Sequence, residues 1–171
     1  MIENTKQKKQ VVRVNFLITA ASLLTGLLAG GNVDRYIVQV PAWKHVNILS
    51  WAAYSRYADL GNGIFLYSFE AIGGSLLLIS ASIIVLIHKK AFKFVAVPLH
   101  LATIFAAMGL IFTFSAAPVM LSIPSMQNNE ILLRHAFNKF HFWGLLRAIA
   151  QLLSFFACVS ALVKNVYRKI L

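Results

Sequence analysis

The fold class is decided by Gly63 to Ile87, GIFLYSFEAIGGSLLLISASIIVLI, an apolar run with a single charged side chain, Glu70. As a helix this run is about 37 Å long at 1.5 Å per residue, which exceeds the roughly 30 Å hydrocarbon core of a bilayer. It lacks the apolar–polar alternation of a barrel strand, so in lipid its backbone can satisfy its hydrogen bonds only as a helix. The stretch therefore predicts a transmembrane helix.

Three further apolar runs have the same character. With the first they predict helices at about 14–31, 63–87, 94–120 and 142–163. The 171 residues are 59% apolar and only 12% charged, whereas charged residues make up about 25% of an ordinary soluble domain. We therefore predict an all-α fold, an integral membrane four-helix bundle that forms a single transmembrane domain over residues 1–171. The composition excludes a soluble enzyme and makes the lipid bilayer the expected partner.

The positive charges predict the orientation of this bundle. The net charge of +11 could suggest a nucleic-acid partner, but the basic residues flank the apolar runs, as expected from membrane topology, so no nucleic-acid partner is predicted. Five lie on one side of the predicted helices and ten on the other: Lys6, Lys8, Lys9, Arg13, Lys89, Lys90, Lys93, Lys164, Arg168 and Lys169. We expect both termini to be cytoplasmic, in a membrane of the bacterial inner-membrane type. The basic amino end also resembles a secretory signal, but we expect helix 1 to be retained as the fourth wall of the bundle.

The connection between helices 1 and 2, residues 32–62, is predicted to be an external interfacial helical segment. Pro41 suits a first helical turn, Ser50 an N-cap, and Gly61 with Gly63 a stop before helix 2. Two interpretations of its aromatic side chains remain open: an anchoring belt at headgroup level, or a lid over a site between the helices. The rings are Tyr36, Trp43, Trp51, Tyr54 and Tyr57.

Ionisable residues inside the predicted spans mark the candidate site. Glu70 and Arg147 lie at similar depths from the outer surface, on helices that run in the same direction, so we expect them to form an ion pair. The pair would either hold the helix register or address a ligand. The candidate catalytic residues are Glu70, Arg147 and His141. The candidate substrate-binding residues are Tyr67 and two residues on the Arg147 face of helix 4, Trp143 and Gln151.

Several chemistries are excluded or not indicated by the sequence. Cys158 is the only cysteine, which excludes an intrachain disulfide, a thiol relay and a CxxC zinc site. A bis-histidine haem is disfavoured, since no two of the histidines share a depth and a facing direction. No nucleotide-binding, metalloprotease or hydrolase motif occurs. The sequence therefore predicts no metal site and no cofactor.

A resemblance to a known family covers nearly the whole chain in topology. Four spans, the Pro41–Ala42 pair soon after helix 1 and the segment FHFWGLLR from Phe140 to Arg147 resemble the anthrone-oxygenase-like family of small membrane proteins. Most members have unknown function. The resemblance implies oxygenation of a reduced polyaromatic molecule without a metal or flavin, with Arg147 matching the family's helix-4 arginine and His141 or Glu70 as the base. Three residues before the arginine, where the family usually has Asn, this chain has Gly144.

Three functional hypotheses follow from these observations. The first is a cofactor-independent oxygenase or oxidoreductase-like protein that acts on an apolar aromatic substrate. The second is a small transporter or channel subunit that uses Glu70 as a proton or cation site. Its copies would form a homo-oligomer by packing glycine-containing helix faces against each other. The third is a structural or accessory membrane protein, in which the charged residues only set the helix register.

Overall fold

The structure, a computed structural model, describes the backbone of residues 2–167 and the side chains of residues 8–166. Within these residues the chain is helical almost throughout. Its six α-helices are α1 (Ile2–Asp34), α2 (Val40–His45), α3 (Ile48–Tyr54), α4 (Gly63–Ile87), α5 (Lys93–Leu121) and α6 (Glu130–Tyr167).

Four continuous helical segments are long and apolar enough to cross a membrane, as the four apolar runs predict. They are Lys8–His45, Ile48–Ile87, Lys89–Met126 and Glu130–Val166. Each exceeds the predicted helix because the helical backbone continues into the polar flanks. One such extension is at α6, which begins at Glu130 rather than near residue 142. Asn129 starts this helix early, since its side-chain oxygen accepts hydrogen bonds from the backbone amides of Ile131 and Leu132.

The segment between helices 1 and 2 is helical, as predicted, but it continues the two long helices instead of forming a separate element. π-helical turns at Arg35–Gln39 and Ser55–Asn62 join α1 to α2 and α3 to α4. Pro41 lies in the first turn of α2, as expected. The prediction of Ser50 as an N-cap is wrong: the N-cap of α3 is Asn47, whose side chain accepts a hydrogen bond from the Ser50 amide at 2.8 Å. Residues 35–62 thus form a helical hairpin, with its turn at residues 46–47.

The predicted glycine boundary before α4 is confirmed. Gly61 has a non-helical backbone conformation at a kink, and α4 begins at Gly63. A Cβ at Gly63 would lie 2.6 Å from the carbonyl oxygen of Ala58. Only glycine therefore permits this close approach of the two segments.

The four long helices form a ring in the order α1, α4, α5, α6, so that α4 and α6 lie diagonally opposite. One hydrophobic core fills the half of the bundle nearest the described ends of the chain; it includes Val14, Ile18, Leu78, Val85, Leu99 and Ala161. A second core lies at the distal end, which we define as the end where α1 and α5 finish and α4 and α6 begin. There α3 packs against α5 and α6 through Ile48, Trp51, Val119, Ile123, Leu133 and Phe140.

Polar side chains connect α1 to α6 at several levels of the bundle. Asn165 donates a hydrogen bond to Asn15 near the described ends of the chain. Ser22 and the buried thiol of Cys158 lie 3.2 Å apart near the middle. The orientation in a membrane remains a prediction, and two of the basic residues on which it rests, Arg168 and Lys169, lie outside the described residues.

Candidate functional site

A cavity of about 280 Å³ lies inside the distal half of the bundle, close to the lower limit of roughly 300 Å³ for small-molecule pockets. All four long helices and the hairpin contribute to its wall. Its apolar lining includes Leu28, Leu60, Ile64, Ile72, Leu110, Phe114, Ala117, Met120, Leu121 and Phe140. Its polar lining comprises Asn32, Arg35, Asp59, Tyr67, Ser68, Thr113, Arg147 and Gln151.

A buried ion pair between Arg35 and Asp59 lies in the wall of this cavity. The Arg35 guanidinium donates a hydrogen bond to Asp59 Oδ1, and both side chains are less than a tenth exposed. Arg35 also lies over the ring of Tyr67, 5.5 Å from its centroid. The Oδ2 atom of Asp59 is buried and has no hydrogen-bond partner. One carboxylate oxygen therefore remains free to accept a proton or a hydrogen bond.

This pair is not among the predicted contacts, although the sequence carries a signal for it. Arg35 lies eleven residues before Val46, and Asp59 lies twelve residues after Asn47. In a helical hairpin with its turn at residues 46–47, positions at about the same distance from the turn lie side by side. Their opposite charges then make a contact favourable, and both residues lie in π-helical turns, which often occur at functional sites.

Arg147 contributes an unpaired positive charge to the cavity. Its guanidinium lies 5.9 Å from the ring centroid of Phe140. Within residues 8–166 the ion pairs are Arg35–Asp59 and Arg134–Glu130, and Arg147 takes part in neither. With Arg35 neutralised by Asp59, the cavity wall carries one uncompensated cation.

The predicted ion pair between Glu70 and Arg147 is not formed among the described residues. The two side chains belong to α4 and α6, which are diagonal in the ring. The predicted depth match also fails, because Arg147 lies about two helical turns nearer the distal end than Ser154, the α6 residue that shares a cavity wall with Glu70. Glu70 is only 6% exposed. It lies instead at the level of Ser154, where both residues line a separate small cavity of about 10 Å³.

Gln151 lines both cavities, together with Leu28, Ala71 and Leu110. Its side-chain oxygen accepts a hydrogen bond of 2.5 Å from the Asn32 amide, which also donates to the Leu28 carbonyl at 2.8 Å. The small cavity has room for about one water molecule. Its wall includes Glu70 and three residues with hydroxyl groups, Thr25, Ser75 and Ser154.

His141 does not line either cavity. Its ring lies among five aromatic rings, the nearest being Phe137 at a centroid distance of 4.1 Å; the others are Tyr36, Trp43, Trp51 and Phe140. Both ring nitrogens are buried and have no hydrogen-bond partner. The structure therefore does not bring this candidate base to the large cavity.

Trp143 is also absent from the cavity walls, because its ring stacks on Phe112 at a centroid distance of 6.3 Å. Of the six candidate residues, Tyr67, Arg147 and Gln151 line the large cavity, and Glu70 and Gln151 line the small one. His141 and Trp143 lie elsewhere on α6.

The absence of a side chain at Gly144 lets α6 lie close to the hairpin. The Tyr36 hydroxyl donates a hydrogen bond of 3.1 Å to the His141 carbonyl. A Cβ at Gly144 would overlap this hydroxyl. The tyrosine therefore occupies the space that an asparagine side chain at this position would require.

Within residues 8–166, no group of three or more His, Cys, Asp or Glu side chains is close enough together to hold a metal ion. Comparison of the chain with protein families, with characterised proteins and with solved structures finds no match.

Proposed function

We propose that this protein is an integral membrane protein that binds an apolar aromatic molecule with an oxygen-bearing end in the distal cavity and oxidises it. The observation that carries the proposal is the Arg147 guanidinium, which faces this mainly apolar cavity without an ion-pair or hydrogen-bond partner among the described residues. The proposed setting is a membrane of the bacterial inner-membrane type, with both termini in the cytoplasm.

The charges around the cavity favour a ligand that is, or becomes, an anion. Arg35 is already neutralised by Asp59, whereas Arg147 is not. A guanidinium surrounded by apolar groups stabilises a phenolate or enolate oxygen more strongly than it would in water. The ring faces of the ligand would lie against the apolar wall, for example Met120 and Phe140.

The proposed reaction is the oxygenation of a reduced tricyclic aromatic such as anthrone by molecular oxygen. A base removes a proton from the ring CH₂ group, and the resulting enolate reacts with O₂. The CH₂ carbon loses two hydrogens and gains one oxygen atom as a carbonyl, while the other oxygen atom leaves as water. Asp59, with its free Oδ2 in the cavity wall, is a better candidate for this base than His141, which does not line the cavity.

The test is anthrone oxidation by the purified protein in lipid vesicles, followed by anthraquinone absorbance and by O₂ consumption. Loss of a group that stabilises the developing oxyanion typically lowers the rate by about 10²–10³-fold. We therefore expect Arg147→Gln to oxidise anthrone more slowly than the wild type by this factor. Arg134→Gln is the matched control, since Arg134 lies on the same helix, is 66% exposed and does not line the cavity. Equal rates for the wild type and Arg147→Gln, or no conversion by the wild type, would reject the proposal.

A second candidate function is proton- or cation-coupled transport through Glu70. The observation in its favour is the buried residue Glu70 in the wall of a water-sized cavity that Thr25, Ser75 and Ser154 also line. Intramembrane carboxyl groups of this kind occur in ion pathways. Ion-coupled uptake into proteoliposomes that Glu70→Gln abolishes, together with no anthrone oxidation, would favour transport over oxidation.

A further inference from the structure

The distal half of α4 is packed differently from its other half. Leu78, Ala81 and Val85 belong to a hydrophobic core, and Ser82 lies 2.7 Å from Thr103 of α5 through their hydroxyl oxygens. Among the described residues, by contrast, none between 63 and 74 belongs to either hydrophobic core. The α4–α5 pair is therefore joined at one end and loosely packed at the distal end.

Side chains of α4 and α5 that line the large cavity are also exposed on the outside of the bundle. On α4, Ile64, Ser68 and Ile72 form a stripe at four-residue spacing, and all three are exposed. On α5, Phe114 is 75% exposed, and Leu121 is also exposed. A side chain can contact both the cavity and the surroundings only where the cavity is open. Gly31 of α1 is also an exposed lining residue but has no side chain, so the opening lies between α4 and α5.

The other helix seams are closed by direct contacts at the end of the cavity nearer the middle of the bundle. A Cβ at Gly73 would lie 3.2 Å from Leu24 Cδ1, so α4 packs closely against α1. The hydrogen bond between Asn32 and Gln151 joins α1 to α6. A Cβ at Gly109 of α5 would lie 3.1 Å from Gln151 Cγ of α6.

We propose that the gap between α4 and α5 is a lateral entrance through which a molecule dissolved in the bilayer reaches the Arg147 cavity. This inference rests on the proposed function, since it requires the bundle to lie in a membrane. The rim of the gap is apolar, with Ile64, Ile72, Phe114 and Leu121 on its two sides. It therefore selects a lipid-soluble ligand with an apolar body and one polar oxygen end, rather than a water-soluble ion.

The position of the entrance can be tested without a ligand by spin labelling in vesicles. Ser68→Cys and Phe69→Cys, each in a Cys158→Ser background, place a nitroxide on adjacent positions of α4. Phe69 is the control because it is 65% exposed and does not line the cavity. An entrance open to lipid predicts that both labels collide readily with O₂, which concentrates in lipid, and rarely with a water-soluble nickel complex. A Ser68 label shielded from both agents, or reached by nickel, would overturn the proposal.

The route is tested by the rate at which 2-hydroxyanthracene, a fluorescent aromatic with one oxygen, binds from vesicles. Ser68→Trp should narrow the entrance and slow both association and dissociation of the probe by about tenfold, whereas Phe69→Trp should bind the probe at the wild-type rates. An unchanged association rate in Ser68→Trp would overturn the lateral route. If the wild type does not bind this probe, the proposed function fails, and the spin-label result then decides separately whether the opening to lipid exists.

Discussion

The buried ion pair between Arg35 and Asp59 allows the sharpest prediction of stability. Asp59→Asn keeps the size of the side chain but removes its negative charge, which leaves the buried Arg35 guanidinium without a counter-charge. Arg147 faces the same cavity and cannot compensate, because it is also positive. The variant should therefore unfold more easily than the wild type.

The magnitude follows from burial. Removing one partner of a buried pair costs about 3–5 kcal/mol. For a chain of this size each kcal/mol corresponds to a fall of about 2–4 °C in Tm, so we expect Asp59→Asn to melt about 6–20 °C below the wild type. The matched control is Glu130→Gln, which removes a carboxylate from an exposed pair with Arg134 and should cost at most about 1 kcal/mol.

Thermal unfolding in detergent micelles, followed by circular dichroism, measures both variants and the double variant Arg35→Met/Asp59→Asn. The double variant leaves no buried unpaired charge at this contact, so its loss of stability should be clearly smaller than the sum of the two single losses. Additive losses, or an Asp59→Asn variant as stable as Glu130→Gln, would refute the argument that this pair stabilises the cavity wall.

Three further predictions concern packing and orientation. Gly144→Ala should lower the free energy of unfolding by about 1–3 kcal/mol, because its Cβ overlaps a neighbouring tyrosine hydroxyl. The control is Gly30→Ala, whose Cβ would have nothing within 4 Å and should not destabilise the protein. Equal losses of stability in thermal melts of the two variants would contradict this prediction. Trp51→Ala should lower the free energy of unfolding by about 3–5 kcal/mol in thermal melts. Tyr57→Ala, at an 86% exposed site, should change the stability little. In intact cells a membrane-impermeant maleimide should label Ser50→Cys; labelling only after permeabilisation would reverse the predicted orientation.

The helical architecture could be predicted because it depends on local properties of the chain. A long apolar run such as Gly63 to Ile87 has few alternatives to a helix in lipid, where the backbone must satisfy its own hydrogen bonds. The boundary at Gly61 and Gly63 could also be predicted, since glycine marks a break in a helical pattern. The early start of α6 was missed because charged and polar residues interrupt the apolar run before residue 142, although Leu133, Ala136, Phe137 and Phe140 recur there at helical spacing.

The pairing of side chains across the bundle was decided by the tertiary structure. Hydropathy located Glu70 and Arg147 inside apolar runs but contained neither the order of the helices around the ring nor their rotation. A helix that is apolar on all sides does not indicate which face meets a neighbour, so a match in depth could not show that α4 and α6 are diagonal. The contact between Arg35 and Asp59 arises because the hairpin folds back at residues 46–47, and the cavity exists because the distal half of α4 belongs to neither core of the described structure. The sequence by itself thus determined which segments are helices, through local backbone and solvation energetics, and the packing of these helices determined which charges meet and where a ligand fits.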